Sequence, residues 1–121
     1  MSASVQRFIN RLAMSSAGMR AAREHAGSAS VGGEAALPLT LLALGQRLAD
    51  DLVRGGEDDC AAFEAIEEAF IDDDPELSEA SSRVIEAAVG RAVERETLPE
   101  LRVKFGERSG EKALTYVALD R

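Results

Sequence analysis

Eleven carboxylates stand between Gly55 and Ser82 with no Lys or Arg among them: Glu57, Asp58, Asp59, Glu64, Glu67, Glu68, Asp72, Asp73, Asp74, Glu76 and Glu79. Carboxylates at this density can hold a hard cation, act in pairs as general acid and base, or attract a cationic surface. A calcium loop starting at Asp72 would use Asp74 and Glu76 as its next ligands. Its sixth position is Leu77 where Gly is needed, and its twelfth is Arg83 where a bidentate Glu is needed. The run from Asp72 to Glu76 reads instead as a turn, with Asp74 capping a helix whose first residue is Pro75. Acid–base work requires burial or a specific partner to shift a pKa. The helical spacing places Glu64 and Glu68 on a solvated face. What is left is a solubilising face or attraction of a basic surface, and the residues assigned to the second are Glu57, Asp58, Glu64, Glu67, Glu68, Asp72, Asp73 and Asp74.

Other reactive side chains are sparse. Cys60 and His25 are the only residues of their kinds. One thiol excludes an intrachain disulfide, and it reads as a small buried hydrophobe at a helix start. A zinc site would have to draw most of its ligands from carboxylates, so no metal is expected. No Ser has a base at a recognisable spacing, so neither a catalytic residue nor a cofactor is assigned and the chain is not read as an enzyme. The stretch Gly27–Gly33, GSASVGG, lacks the Gly-Lys-Ser/Thr and the preceding strand of a phosphate cradle, and reads as a linker.

Charge sets the choice of partners. The block carries −11 of the formal −8, and the other 11 acids with all 14 basic residues leave +3 elsewhere. Arg7, Arg11, Arg20 and Arg23 do not outweigh that block, so direct binding of nucleic acid is not expected. The longest apolar stretch, Leu37 to Gly45, is far short of the ~20 residues that cross a bilayer. The first residues, MSASVQRFINRL, lack a signal-peptide pattern. The expectation is a soluble, cytoplasmic protein that avoids membranes.

The elements that must position the acids are helices. The apolar residues are mainly Ala, Leu, Val and Ile, with 4 Phe, 1 Tyr and no Trp, and Ala and Leu favour helix. Val5, Phe8, Ile9, Leu12 and Met19 share one face of a helix from about Ser4 to Met14. It either runs on to His25 or breaks near Ser15, Ser16 and Gly18. A second helix starts near Pro38 and ends at Arg54, before Gly55-Gly56. Its apolar arc of Leu41, Leu42, Leu44, Leu48, Ala49, Leu52 and Val53 is wide enough to make it the central helix, with Arg47, Asp50, Asp51 and Arg54 outside. A third, capped by Asp58 or Asp59, buries Ala62, Phe63, Ile66, Ala69 and Phe70 and projects Glu64, Glu67 and Glu68. A fourth runs from Pro75 to about Glu96 and buries Leu77, Ala80, Val84, Ile85, Ala88 and Ala92. Residues 99–121 fit either two short helices or a β-hairpin of Leu101, Val103, Phe105 against Leu114, Tyr116, Ala118. Helix is favoured because a lone hairpin beside four helices needs a face to pack on. The fold expected is one all-α domain over residues 1–121, with five or six helices in stacked antiparallel hairpins.

The segments LGQRLADDL, AFEAIEEAFIDDDPELSEASSRVIEAAV and FGERSGEKALTYV, between Leu41 and Arg121, resemble a family of small bacterial helical domains linked with polymorphic-toxin immunity. The resemblance implies an all-helical fold and a toxin-neutralising role, and it transfers no site residues. Together with the acidic block, the expectation is an immunity protein whose partner is a basic toxin domain. The alternative is a DNA-mimic inhibitor, such as an anti-CRISPR or anti-restriction protein.

Overall fold

The structure, a computed structural model, describes residues 3–29, 36–54 and 60–119. Seven helices form there: α1 (Ala3–Met14), α2 (Ala17–Ala29), α3 (Ala36–Arg54), α4 (Cys60–Ile71), α5 (Pro75–Arg95), α6 (Leu98–Arg102) and α7 (Glu107–Leu119). No described residue lies in a strand. The C-terminal segment is therefore helical, and the hairpin alternative is disfavoured.

Three local signals account for the boundaries. Ser15 and Ser16 break the first helical pattern in two. Ser15 Oγ donates to the Leu12 carbonyl at 2.8 Å, while Ser16 Oγ accepts from the Met19 amide at 3.1 Å and so caps α2. Asp74 caps α5, accepting from the amides of Glu76 and Leu77, with Pro75 in the first turn. At the other end of α5, Glu96 takes the left-handed conformation at φ 58°. There the Thr97 amide donates to the Ala92 carbonyl at 2.9 Å, as in a Schellman ending. Helix α2 extends to Ala29, so the first residues of the expected Gly27–Gly33 linker are helical and those from residue 30 lie outside the described residues. Gly55 and Gly56 also lie outside them.

The most extensive contact joins α3 to α5, which bypasses α4. Glycine makes it possible. A Cβ built on Gly45 would stand 2.4 Å from the Val84 carbonyl oxygen and 2.6 Å from the Ala87 Cβ. Further along, Asp50 faces Arg91 and Arg95 at 3.9 and 3.8 Å. The paired positions advance together along both helices, so α3 and α5 run in the same direction.

The central helix is α5, where the breadth of the apolar arc pointed to α3. It packs against α1, α3, α4, α6 and α7. Its buried residues, including Ser81, Ser82 and Val89, extend well beyond one face. Ser81 Oγ donates to the Ile66 carbonyl at 3.1 Å, satisfying a hydroxyl with no solvent exposure. Around α5 the core gathers Val5, Phe8, Leu12, Met19, Leu44, Leu48, Phe63, Ile66 and Leu101.

Several faces differ from the sequence expectation. Asp51 is buried, only 4% exposed, and holds Arg47 at 2.7 Å. Asp50 faces Arg91 and Arg95 of α5, and the side chain of Arg54, its expected i,i+4 partner, lies outside those described. Leu42 is exposed and Phe70 only partly buried, whereas Cys60 is exposed, not a core residue. No helix among the described residues is long and apolar enough to cross a membrane.

The two helical glycines at this interface predict opposite outcomes. Gly45→Ala drives a methyl group into backbone and should cost about 1–3 kcal/mol or more. Gly90, with nothing within 4 Å of a built Cβ, should gain roughly 0.5–1 kcal/mol on replacement by Ala, through helix propensity alone. Urea melts of the two variants read both signs, and equal effects would contradict the α3–α5 contact.

Candidate functional site

The assigned acids do not form one uniform face. Glu57 and Asp58 lie outside the described residues. Glu64 on α4 is exposed, as are Asp72 and Asp73 in the turn between α4 and α5. Asp72 and Asp73 stand at the corner where α4 ends, the Asp72 amide still donating to the Glu68 carbonyl at 3.1 Å, and Glu64 lies two turns earlier on α4, about 12 Å along its axis. The other three assigned acids have structural partners.

Glu67 was expected to project outward, but its carboxylate is turned against the N-terminus of α7. The amides of Arg108 and Ser109 donate to Glu67 Oε2 and Oε1 at 3.0 and 2.9 Å, and the Ser109 hydroxyl donates to Oε1 at 2.8 Å. The Gly106 amide in turn donates to Ser109 Oγ at 3.0 Å. A helix N-terminus leaves amides without partners inside the helix and carries partial positive charge, which a carboxylate satisfies on both counts. Gly106, at the cap position of α7, has no side chain to supply that carboxylate, and α4 supplies it instead. A Cβ on Gly106 would meet Glu67 Oε1 at 2.5 Å, so the absence of a side chain also makes room for it. Beside this contact Phe105 meets Phe63 edge to face, ring centroids 5.5 Å apart.

Burial by itself pushes the Glu67 carboxyl up. The Ser109 and Arg108 amides, the Ser109 hydroxyl and the Arg108 charge together outweigh it, and the group titrates below its ordinary 4.5. Asp74 likewise serves the fold. The Ser4 hydroxyl of α1 donates to Asp74 Oδ2 while Oδ1 caps α5. The Ser4 bond is the largest influence on Asp74, and with the capping amides it holds the group below 3.8 against the opposing effect of burial. Glu68 pairs with Arg11 of α1 at 2.6 Å. It lacks a basic residue one turn away in its own helix, yet α1 provides one. Both side chains are more than half exposed, so the pair contributes little.

Two further acids continue the exposed corner onto α5. Glu76 and Glu79 are exposed and stand at the mouth of a furrow of about 920 Å³ between α5 and the first half of α3. Leu37, Pro38, Leu41 and Leu42 of α3 form one wall, and Val5 of α1 adds to it. Ala80, Ala87 and Gly90 of α5 form the other, flanked by Glu86 and Glu94. Sequence reasoning missed the furrow. Its signal was the width of the α3 apolar arc, more than one neighbouring helix covers.

The arrangement offers an acidic corner and an apolar furrow with an acidic rim. Among the described residues no three His, Cys, Asp or Glu side chains could together hold a metal ion. Comparison with protein-family models, with curated proteins and with solved structures finds no match to this chain.

The Glu67 contact predicts a pH dependence with a definite sign. A carboxyl whose folded pKa is depressed gives stability that is fully present above its unfolded pKa, near 4.5, and is lost as pH falls through the lower folded value. Glu67→Gln should cost about 1–3 kcal/mol at pH 7 and flatten the acid limb of the stability curve. Urea melts between pH 7 and 3 measure both. An unchanged acid limb would mean that the carboxylate does not dock on α7.

Proposed function

We propose that this chain is a binding protein that inhibits a basic protein partner, and more narrowly an immunity protein that neutralises a toxin domain in the cytoplasm. The observation that carries the reading is the division among the carboxylates. Glu67 and Asp74 are engaged in holding helices together, whereas Glu64 on α4 and Asp72 and Asp73 in the turn after it stand exposed with no described side chain paired to them. Like charges crowded on a surface repel one another and cost stability, so a charge with no structural use points to a use in recognition. The narrower reading as toxin immunity draws on the resemblance of the segments from Leu41 onward.

The pattern of charge on α5 supports a protein partner over DNA mimicry. Arg83 and Arg91 alternate with Glu76, Glu79, Glu86 and Glu94 along one side of the helix. A phosphate-like array would carry one sign throughout. A protein surface of mixed polarity is matched by this one.

Affinity capture followed by mass spectrometry identifies the partner, and surface plasmon resonance then tests the acidic corner. Joint reversal of Glu64, Asp72 and Asp73 to Lys should slow association by about tenfold or more at 50 mM salt while leaving the fold intact. The gap between variant and parent should narrow at 300 mM, as the screening length falls from roughly 14 to 6 Å. Reversal of Arg7 and Arg11 should have a smaller effect. An unchanged association rate in the triple variant would assign the acids to solubility and sink the proposal.

A further inference from the structure

The furrow between α3 and α5 points to the form the partner takes. The inference rests on the reading of the chain as a binder of basic protein, and it adds which surface is the seat and what sits in it. We propose that the furrow receives one amphipathic basic α-helix of the partner, its apolar stripe against Leu37, Leu42 and Gly90 and its Lys or Arg residues facing Glu76, Glu86 and Glu94.

Four observations converge on this occupant. The first is charge. Of the two arginines on the rim, Arg83 is held by Glu79 at 3.0 Å and Arg91 faces Asp50 at 3.9 Å. The cations are thus directed to acids of this chain, while Glu76, Glu86 and Glu94 are exposed. Such a rim attracts a basic segment and repels an acidic one. The second is shape. The lining residues of α5 run from Glu76 to Glu94 at helical spacing, which at 1.5 Å per residue spans roughly 27 Å. The opposing α3 wall, Leu37 to Gln46, spans roughly 14 Å of it, so a helix would be walled on both sides for about two to three turns and follow α5 beyond. The third is the apolar floor. Leu42, 44% exposed, lines the furrow, whereas Leu39, 43% exposed on the same helix, lies off it; leucines along a groove are the usual receptor for an i, i+3, i+4, i+7 stripe. The fourth is Gly90. A mid-helix glycine costs about 1 kcal/mol relative to Ala, and no described neighbour requires one, since a Cβ there would meet nothing within 4 Å among the described residues. On the furrow floor its bare backbone lets a second helix approach closely.

The test titrates the full chain, ¹⁵N-labelled, with an 18-residue Leu/Lys peptide whose leucines recur at i, i+3, i+4 and i+7, and separately with its Leu/Glu counterpart. The Leu/Lys peptide should bind and shift the amides of Leu42, Ala87 and Gly90, and the Leu/Glu peptide should not. Leu42→Lys alters an exposed position and Gly90→Arg a half-buried one with open space around its Cβ, and both should preserve the circular dichroism spectrum. Each should weaken binding at least tenfold by fluorescence anisotropy. Equal binding of the two peptides would overturn the proposal, as would no binding of either at millimolar concentration. Binding lost in the Glu64, Asp72 and Asp73 reversal but untouched by Gly90→Arg would also overturn it, leaving the acidic corner as the docking surface. A dimer in sedimentation that Leu42→Lys dissociates would overturn it too, by making a second copy the occupant.

Discussion

The backbone contact between α3 and α5 at Gly45 is the constraint on which the rest of the structure depends. With a built Cβ only 2.4 Å from a carbonyl oxygen, no side chain fits between the helices there, and the backbone of α3 packs directly on that of α5. This proximity makes α5 the hub. Its small residues Ala80, Ser81, Ala88 and Ala92 are buried, which lets neighbours approach from several sides. The Asp50 contacts with Arg91 and Arg95 hold the same pair of helices together further along. The first half of α3 is left beside α5 with leucines to spare, and the furrow lies there.

A second principle is the sharing out of like charge. An acidic run in sequence becomes three different things in space. Glu67 completes a helix that has no cap of its own, Asp74 starts one helix while receiving a hydroxyl from another, and Glu68 meets an arginine across a helix interface. Each use brings a carboxylate to a site of positive potential, an amide cluster or a guanidinium, so the block is less self-repelling than its sequence implies. The remainder, Glu64, Asp72, Asp73 and Glu76, stays exposed along α4, the turn after it and the start of α5.

Much of this was legible in the sequence because it depends on local chemistry. The Asp74-Pro75 start of α5, the buried face of α4 from Ala62 to Ala69 and the break at Ser15-Ser16 are all signalled by residues within a turn or two of the feature. What was not legible depends on residues far apart in the chain. Glu67 meets Ser109 across 42 positions, and nothing in the spacing of either segment reports it. Asp51 looked like half of an exposed pair with Arg47 because helical spacing gives the angle of a residue on its own helix and not which neighbour covers it. The hub was placed on α3 for the same reason. A wide apolar arc shows that a helix has apolar surface to cover, and in this protein part of that surface stays open. The reverse error concealed α5, whose buried serines read as polar until Ser81 finds the Ile66 carbonyl.

The central claim is that the carboxylates divide into those that hold the fold and those that do not. An alanine scan of Glu64, Glu67, Asp72, Asp73 and Asp74, followed by urea melts at pH 7 and low salt, tests it most directly. The account predicts a lower midpoint for Glu67→Ala and Asp74→Ala, and an unchanged or raised midpoint for Glu64→Ala, Asp72→Ala and Asp73→Ala, where repulsion is relieved. A uniform response across the five positions would contradict it.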